Sequence, residues 1–510
     1  MEEARDRMAW WEGNRLRLIQ NNLREIDADM DVDAAVREVK SFQANVWMLN
    51  AGGICAFYPT GLQFHYVSPY LKKDLLAEAV DKAHRAGLRF IARFDFSKAH
   101  ASIFAARPEW FYRTADGRTA EDSGIVHTCL NGGYQQEYAL AILDEVISRY
   151  DVDGVFFNMF GYRTKDYAGR DYGICHCENC RRRFRDFSGF ELPSPEGGSG
   201  PVHEAYRKFR KETTAELLER IRRLVKAKNP DIALCTYHHH GVDIIRKESN
   251  TALGRPSAFR PYSASENVMT VEHTWDDKLV SNCSINAVDL TYRYTGVSEH
   301  ENEIRLHQSI AAGSGLDFCI IGPFEGYPDR TSLASVRKAF RFHKEHEALF
   351  GGLSAVADVA LLRPDPEDRT AMREYYGIFK MLKETHIPFR AVEAEAAPDP
   401  WAALEGVRAA VLPGLRTVPE RLAEALEARL NSGMSLLATG LALTGDPQLL
   451  KRLFRLSVES VLERTEAAYV QIDDRELFRG FPKRNWVIVH GPFGLIAQEE
   501  GAPADCRLPL

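Results

Sequence analysis

Three cysteines crowd into the segment Cys175-His176-Cys177-Glu178-Asn179-Cys180. The spacing C-x-C-x2-C brings three thiolates close together, and a tetrahedral metal needs one further ligand from elsewhere in the chain. Cys129, 46 residues before Cys175, and His176 are the two candidates for that place. There are nine cysteines in 510 residues, an odd count that suits reduced thiols, with or without a metal, better than a disulfide framework. A site of thiolates alone is closed, so Cys129, Cys175, Cys177 and Cys180 are expected to hold structural rather than catalytic zinc. Two residues before Cys129 stands His127. An imidazole held protonated beside a carboxylate can deliver a proton near neutral pH, which makes His127 the leading general-acid candidate.

Other polar residues gather where apolar runs end. The first run finishes in Asn21-Asn22-Leu23-Arg24-Glu25-Ile26-Asp27, the second at Asn50-Ala51-Gly52-Gly53 and the third at Arg93-Phe94-Asp95. The fourth finishes at Asn158 and the fifth at His238-His239-His240. Any one of these reads as a helix cap or a loop turn; five on one rim point to a binding site. Adjacent residues point in different directions, so at most one or two of the three histidines face a site, with His239 the preferred contact. Glu325, after the eighth run, is a further substrate or supporting carboxylate. Tyr162, Trp110 and Phe111 are candidates for an aromatic wall, and Arg163 for a rim cation.

The elements that would position these residues are repeated βα units. Strands are predicted at 15–22, 44–50, 88–95, 153–160, 231–237, 244–250, 279–288 and 316–322, with helices at 31–43, 73–86, 133–149, 203–228, 299–312 and 331–346. Eight such units in about 330 residues favour a (β/α)8 TIM-type barrel over 1–350, whose chemistry sits at the carboxyl ends of its strands. An open doubly wound sheet is the runner-up. The loops from Asp95 to about Asn131 and after the fourth strand are long and rich in aromatics and Arg, as expected of ordered site walls. From 351 to 451 the pattern restarts as a smaller flavodoxin- or amidotransferase-like α/β domain. It has no cysteine and no glycine-rich fingerprint, so it offers packing or oligomerisation rather than chemistry. A β-leaning tail, 452–510, follows and reads as a truncated or swapped element.

Composition narrows the partners. The balance of 65 Lys+Arg against 72 Asp+Glu leaves a net charge of -7 with no basic block, which argues against nucleic acid. No stretch of about 18 apolar residues argues for a membrane span, and the charged start of the chain shows no signal peptide, so a cytoplasmic or otherwise non-exported protein is expected.

The combination of Pro108-Glu-Trp-Phe, His127-Thr-Cys-x-Asn131, Tyr150-Asp-Val-Asp-Gly-Val-Phe-Phe-Asn158 and Cys175-His-Cys-Glu-Asn-Cys-Arg-Arg-Arg-Phe184 resembles the hypothetical glycosyl hydrolases related to family 42 β-galactosidases. Residues 355–445 resemble the trimerisation domain that follows the barrel in those enzymes, which implies a homodimer or homotrimer. The galactosidases also hold a structural zinc in a similar way. Their strand-four Asn-Glu is replaced here by Asn158-Met159, and a thioether cannot donate a proton, so the usual retaining pair of carboxylates is broken. The most similar characterised group is the inverting sialidases of glycoside hydrolase family 156, which implies a histidine acid, His127, and an aspartate base. Asp27 is the match for that base, with Glu25 and Asp95 behind it; Asp29, Asp31 and Asp33 fall where a helix cap explains them.

The reading is therefore an exo-sialidase acting on a glycan or smaller sialoside, with no cofactor needed for chemistry. An inverting pair stands roughly 6.5–9.5 Å apart, leaving room for one water. The substrate carboxylate calls for an arginine fork, with Arg24 first and Arg93 and Arg163 after it. Asn22, Glu25, Asn50, Asp95, Asn158, Tyr162, His239 and Glu325 complete the expected sugar contacts. The alternatives are a galactosidase- or fucosidase-like hydrolase using carboxylates, with Glu248 or Glu325 as nucleophile, and a non-catalytic carbohydrate-binding barrel.

Overall fold

The computed structural model describes residues 9–166, 169–194, 200–253, 257–350, 353–463, 467–472, 476, 479–480 and 486–498. The end of the chain, including Cys506, lies outside the described residues.

Eight parallel strands close into one barrel: β1 (Arg17–Asn21), β2 (Val46–Gly53), β3 (Arg89–Asp95), β4 (Gly154–Phe157), β5 (Ala233–Thr236), β6 (Ile244–Ser249), β7 (Leu279–Ile285) and β8 (Leu316–Ile320). β1 pairs with β2 on one side and β8 on the other, with Arg17 beside Leu316 and Asn21 beside Ile320, so the open sheet is excluded. The strands are buried almost throughout because parallel barrel strands have helices on one side and the barrel interior on the other. Helices occupy the predicted intervals, among them α1 (Val32–Ser41) and α2 (Leu75–Arg85). Asp31 and Asp74 cap them by accepting the amides of Ala34 and Ala77. Asp29 and Asp33 pair with Lys72 and Lys82, so the acidic start of the first helix is structural. The helix Ser263–Glu272 lies in a stretch where no helix is predicted.

The chain divides into two compact units: the described residues up to Val268 with Asp277–Leu353, and Met269–Asp276 with the residues from Ser354 on. The second holds four parallel strands, β9 (Val359–Arg363), β10 (Phe389–Glu393), β11 (Ala409–Pro413) and β12 (Ser435–Thr439), in the order β10-β9-β11-β12. Leu362, Val392, Leu412, Leu422, Leu426 and Leu443 are among the buried side chains of its core. Within this unit His273 and Thr274 accept the amides of Ala391 and Glu393 along the edge strand β10. Two antiparallel pairs, Leu456–Leu462 with Phe493–Gln498 and Ala467–Gln471 with Trp486–His490, account for the β-leaning tail. No described helix is long and apolar enough to cross a membrane.

Candidate active site

Alternate residues of the barrel strands point inward, and they change character from floor to mouth. Leu18, Met48, Ile91, Phe156, Ala233, Cys235, Ile244 and Leu279 form an apolar floor against which Trp10 and Trp11 pack. Above it lies a buried ion pair, Arg246 Nε to Asp317 Oδ2 at 2.8 Å, to which Gln20 and Ser281 add hydrogen bonds of 2.7 and 2.8 Å. The next inward positions on the same strands are Asn22, Asn50, Arg93, Asn158, Tyr237 and Glu248.

Three of these mouth residues, Asn158, Tyr237 and Glu248, form one chain with Asp95 and Ser97. Asp95 accepts Ser97 Oγ at 2.6 Å on Oδ1 and Asn158 Nδ2 at 2.8 Å on Oδ2. The Tyr237 hydroxyl lies 2.7 Å from both Asn158 Oδ1 and Glu248 Oε1, its one proton serving a single acceptor at a time. Burial, and then the Glu248 charge, hold that phenol far above its ordinary range. Arg93 stands apart from the chain. It is 6% exposed, its Nε has no hydrogen-bond partner, and it makes no ion pair among the described residues.

Asp27 is built into the loop after β1. Its Oδ2 accepts the Arg24 amide at 2.7 Å and Arg293 Nη1 at 2.6 Å, while Oδ1 has no partner among the described residues. Asn50 fixes the start of this loop by accepting the Leu23 amide at 2.9 Å and donating to the Leu23 carbonyl at 3.3 Å. Gly322 leaves room for the pair: a Cβ there would stand 3.2 Å from Arg293 Nη1 and 3.6 Å from Asp27 Oδ2, at a φ of +113°.

His127 lies in the middle strand of a three-stranded sheet, Lys98–His100, Ile125–His127 and Glu121–Asp122, within the loop after β3. Its ring is 2% exposed, packs against Tyr112 and Tyr172, and leaves Nε2 without a partner. The expectation of a carboxylate holding it protonated is corrected. Burial first, and then the cation of its cross-strand partner Lys98, push the imidazole down to about 4.

Beside it, Cys129, Cys175, Cys177 and Cys180 converge with all four sulfurs within 4.8 Å of one another, all buried and none in a disulfide. Zinc at about 2.3 Å from each sulfur fits such a tetrahedron. Asn131 donates its amide to Cys129 Sγ and its side chain to Cys180 Sγ, each at 3.3 Å, as donors around a thiolate centre do. Cys129 is the fourth member of the cluster, whereas His176, between Cys175 and Cys177 in sequence, is not a member.

Several expected contacts are already engaged. Arg24 is exposed and donates to the Leu290 carbonyl, so the first choice for an anion clamp passes to Arg93. Arg163 donates to the carbonyls of Met159 and Phe160 in its own loop. The Asn50 amide holds Leu23, Glu25 accepts the Tyr66 hydroxyl, and Asp95 is saturated by Ser97 and Asn158. Tyr162 is half-buried, packs with Tyr206 and Phe209, and its hydroxyl meets Asn131 and Thr213. His239 and Glu325 are exposed, and His238 is the half-buried member of its triplet, pushed down to about 4 by burial. Asn22 is half-buried one residue past β1, and its backbone amide donates to the Ile320 carbonyl at 2.9 Å. Tyr237, Lys98 and Arg293 are absent from the sequence-based candidates. Tyr237 was within reach, two residues beyond the inward Cys235 on the same strand.

Closed barrel, polar mouth and walled rim together define a (β/α)8 barrel protein. Residues 31–159 match the family model described as Hypothetical glycosyl hydrolase 6. Solved structures are similar over almost the whole chain. α-L-Fucosidase isoenzyme 2 from Paenibacillus thiaminolyticus is 18% identical with a TM-score of 0.72, covering 96% of this chain and 73% of that one. The β-galactosidase from Rahnella sp. R3 is 16% identical with a TM-score of 0.71, covering 96% and 82%. The β-galactosidase from Bacillus circulans sp. alkalophilus is 14% identical with a TM-score of 0.71, again covering 96% and 82%. At these identities the likeness carries the fold. No curated protein matches the chain in sequence.

Proposed function

We propose that the protein is a glycoside hydrolase acting on the glycosidic bond of an anionic sugar, specifically an exo-sialidase working by inverting single displacement. The observation that carries this reading is Arg93. Its Nε is buried without a hydrogen-bond partner, which is costly, and a carboxylate entering the barrel mouth would supply one. In the proposed reaction Asp27 Oδ1 removes a proton from a water as that water attacks the anomeric carbon, and His127 protonates the departing glycosidic oxygen from the opposite face. His127 is neutral in the free protein at pH 7, so its proton must be acquired with the anionic substrate in place. We further propose that the four cysteines hold a structural zinc, which ties the loop carrying His127 to the following loop and takes no part in the chemistry.

The test is release of free sugar from a panel of aryl glycosides, with the first-formed anomer identified by NMR. Release of sialic acid in the inverted configuration supports the reading. Activity confined to neutral glycosides, or retention of configuration, rejects it in favour of carboxylate catalysis. Glu248 is the residue that gives this second reading substance, because its carboxylate faces the mouth with Tyr237 on one oxygen and a quarter of its side chain exposed. Sugar binding without any release identifies a non-catalytic barrel.

A further inference from the structure

We infer that Arg293 is the positioning residue for Asp27, selecting which of its two carboxylate oxygens is left for the water; this rests on Asp27 being the base. Arg293 comes from the loop after β7, 266 residues away in sequence, yet its Nη1 lies 2.6 Å from Asp27 Oδ2 with the side chains only 11% and 6% exposed. The same oxygen already accepts the Arg24 amide, so Oδ2 is taken by two donors and Oδ1 is the open one. A carboxylate held by one donor still pivots about its Cβ–Cγ bond. Two donors from different loops remove that freedom.

Arg293 is itself held at two further points. Its Nη2 donates to the Tyr294 hydroxyl at 2.6 Å, and its backbone carbonyl accepts the Tyr327 hydroxyl at 2.7 Å. The Asn286 carbonyl just past β7 lies 3.1 Å from the same hydroxyl, whose one proton serves either carbonyl at a time, and the Tyr327 ring meets that of Tyr294 edge-on at 6.1 Å. Gly322, at the end of β8, lies beneath both charged groups and admits them because it has no side chain. Loops after β1, β7 and β8 thus converge on one carboxylate oxygen, which is more construction than a surface ion pair needs.

The experiment compares Arg293→Ala, Arg293→Lys, Asp27→Asn and the Asp27→Asn/Arg293→Ala double variant on an aryl sialoside, with melting temperature recorded for each. Arg293→Ala is expected to lower kcat about 100-fold with KM within about threefold. Added guanidinium ion restores part of that loss, and Arg293→Lys, which supplies one donor, falls between. The double variant is no slower than Asp27→Asn, because a positioning residue has nothing to position once the base is gone. A raised KM with kcat retained overturns the inference and makes Arg293 a substrate contact. Loss that guanidinium does not rescue, and that adds to the loss in Asp27→Asn, also overturns it and leaves Asp27 as base. Full turnover in Asp27→Asn removes the base assignment and this inference with it. Should Arg293→Ala fail to fold, the Arg293→Lys variant carries the same comparison.

Discussion

Cys129 Sγ stands 3.3 Å from Cys177 Sγ, joining the loop after β3 to the first turn of the helix Glu178–Ser188. The four thiols share hydrogen bonds that drive Cys177 toward thiolate while Cys129 and Cys180 are driven up, a division of protons that a divalent cation would abolish by taking all four sulfurs as thiolates.

Elemental analysis of the purified protein should therefore find one zinc per chain. Because such a site forms only in the folded loops, its binding free energy is folding free energy. Removal by a strong chelator, or Cys177→Ser, should lower the melting temperature by about 5 °C or more. Turnover should fall with it, since His127 is two residues from Cys129. Less than a tenth of a zinc per chain would dismiss the metal.

Arg93 gives a prediction with opposite signs for function and stability. Arg93→Met removes a buried cation that no described group satisfies, so the urea midpoint should stay the same or rise, by about 1 kcal/mol in stability. The cost should appear in kcat/KM for a sialoside, lowered about 30- to 1,000-fold, the equivalent of roughly 2–4 kcal/mol for leaving a substrate carboxylate unpaired. Loss of activity together with loss of stability would make Arg93 a structural cation instead.

Much of this was legible before any coordinates. Most of the barrel strands announce themselves because two-sided burial favours apolar runs, with Ile244–Ser249 the weakest signal, and the polar residues closing those runs lie where the rim must be. Pairings over long separations were not legible. Arg93 and Arg24 look alike in sequence, but strand parity sends one into the mouth while a loop turns the other to solvent. The Asp27–Arg293 contact spans 266 residues and depends on two loops whose course no periodicity describes. Asn50 and Tyr162 show that polar groups near strand ends also hold loops together, since Leu23, Asn131 and Thr213 take up their hydrogen bonds.

Two buried histidines set an acid limit on stability. His65 accepts the Gly53 amide on Nε2 at 3.1 Å, and His273 accepts the Ala391 amide on Nδ1 at 3.1 Å, so each must keep one nitrogen unprotonated. Burial pushes both down to about 4. The unfolded chain, with histidines near 6.5, binds more protons between those values, so the contribution of each is complete above about pH 6.5 and is lost as pH falls toward 4. Each should cost about 1.4 kcal/mol per pH unit across that window. Urea unfolding from pH 7 to 4 should show the decline, and His273→Asn should flatten it by one proton. A slope unchanged in that variant would place the proton uptake elsewhere.

Glu248 decides between the two catalytic chemistries. In the inverting reading its carboxylate receives Tyr237, stays near the Arg246 guanidinium at 3.5 Å, and shapes the sugar pocket without meeting the anomeric carbon. Glu248→Gln keeps an oxygen acceptor for the Tyr237 hydroxyl, so turnover should fall no more than about tenfold, while Asp27→Asn should cost about 1,000-fold or more. In a retaining enzyme the order reverses: Glu248→Gln loses its covalent intermediate, and added azide recovers turnover as a glycosyl azide because a small anion replaces the missing carboxylate. Tyr237→Phe adds an independent reading of the same contact. If Glu248 only shapes the pocket, removing the hydroxyl should raise KM more than it lowers kcat, whereas a nucleophile deprived of its hydrogen-bond donor should show the change chiefly in kcat.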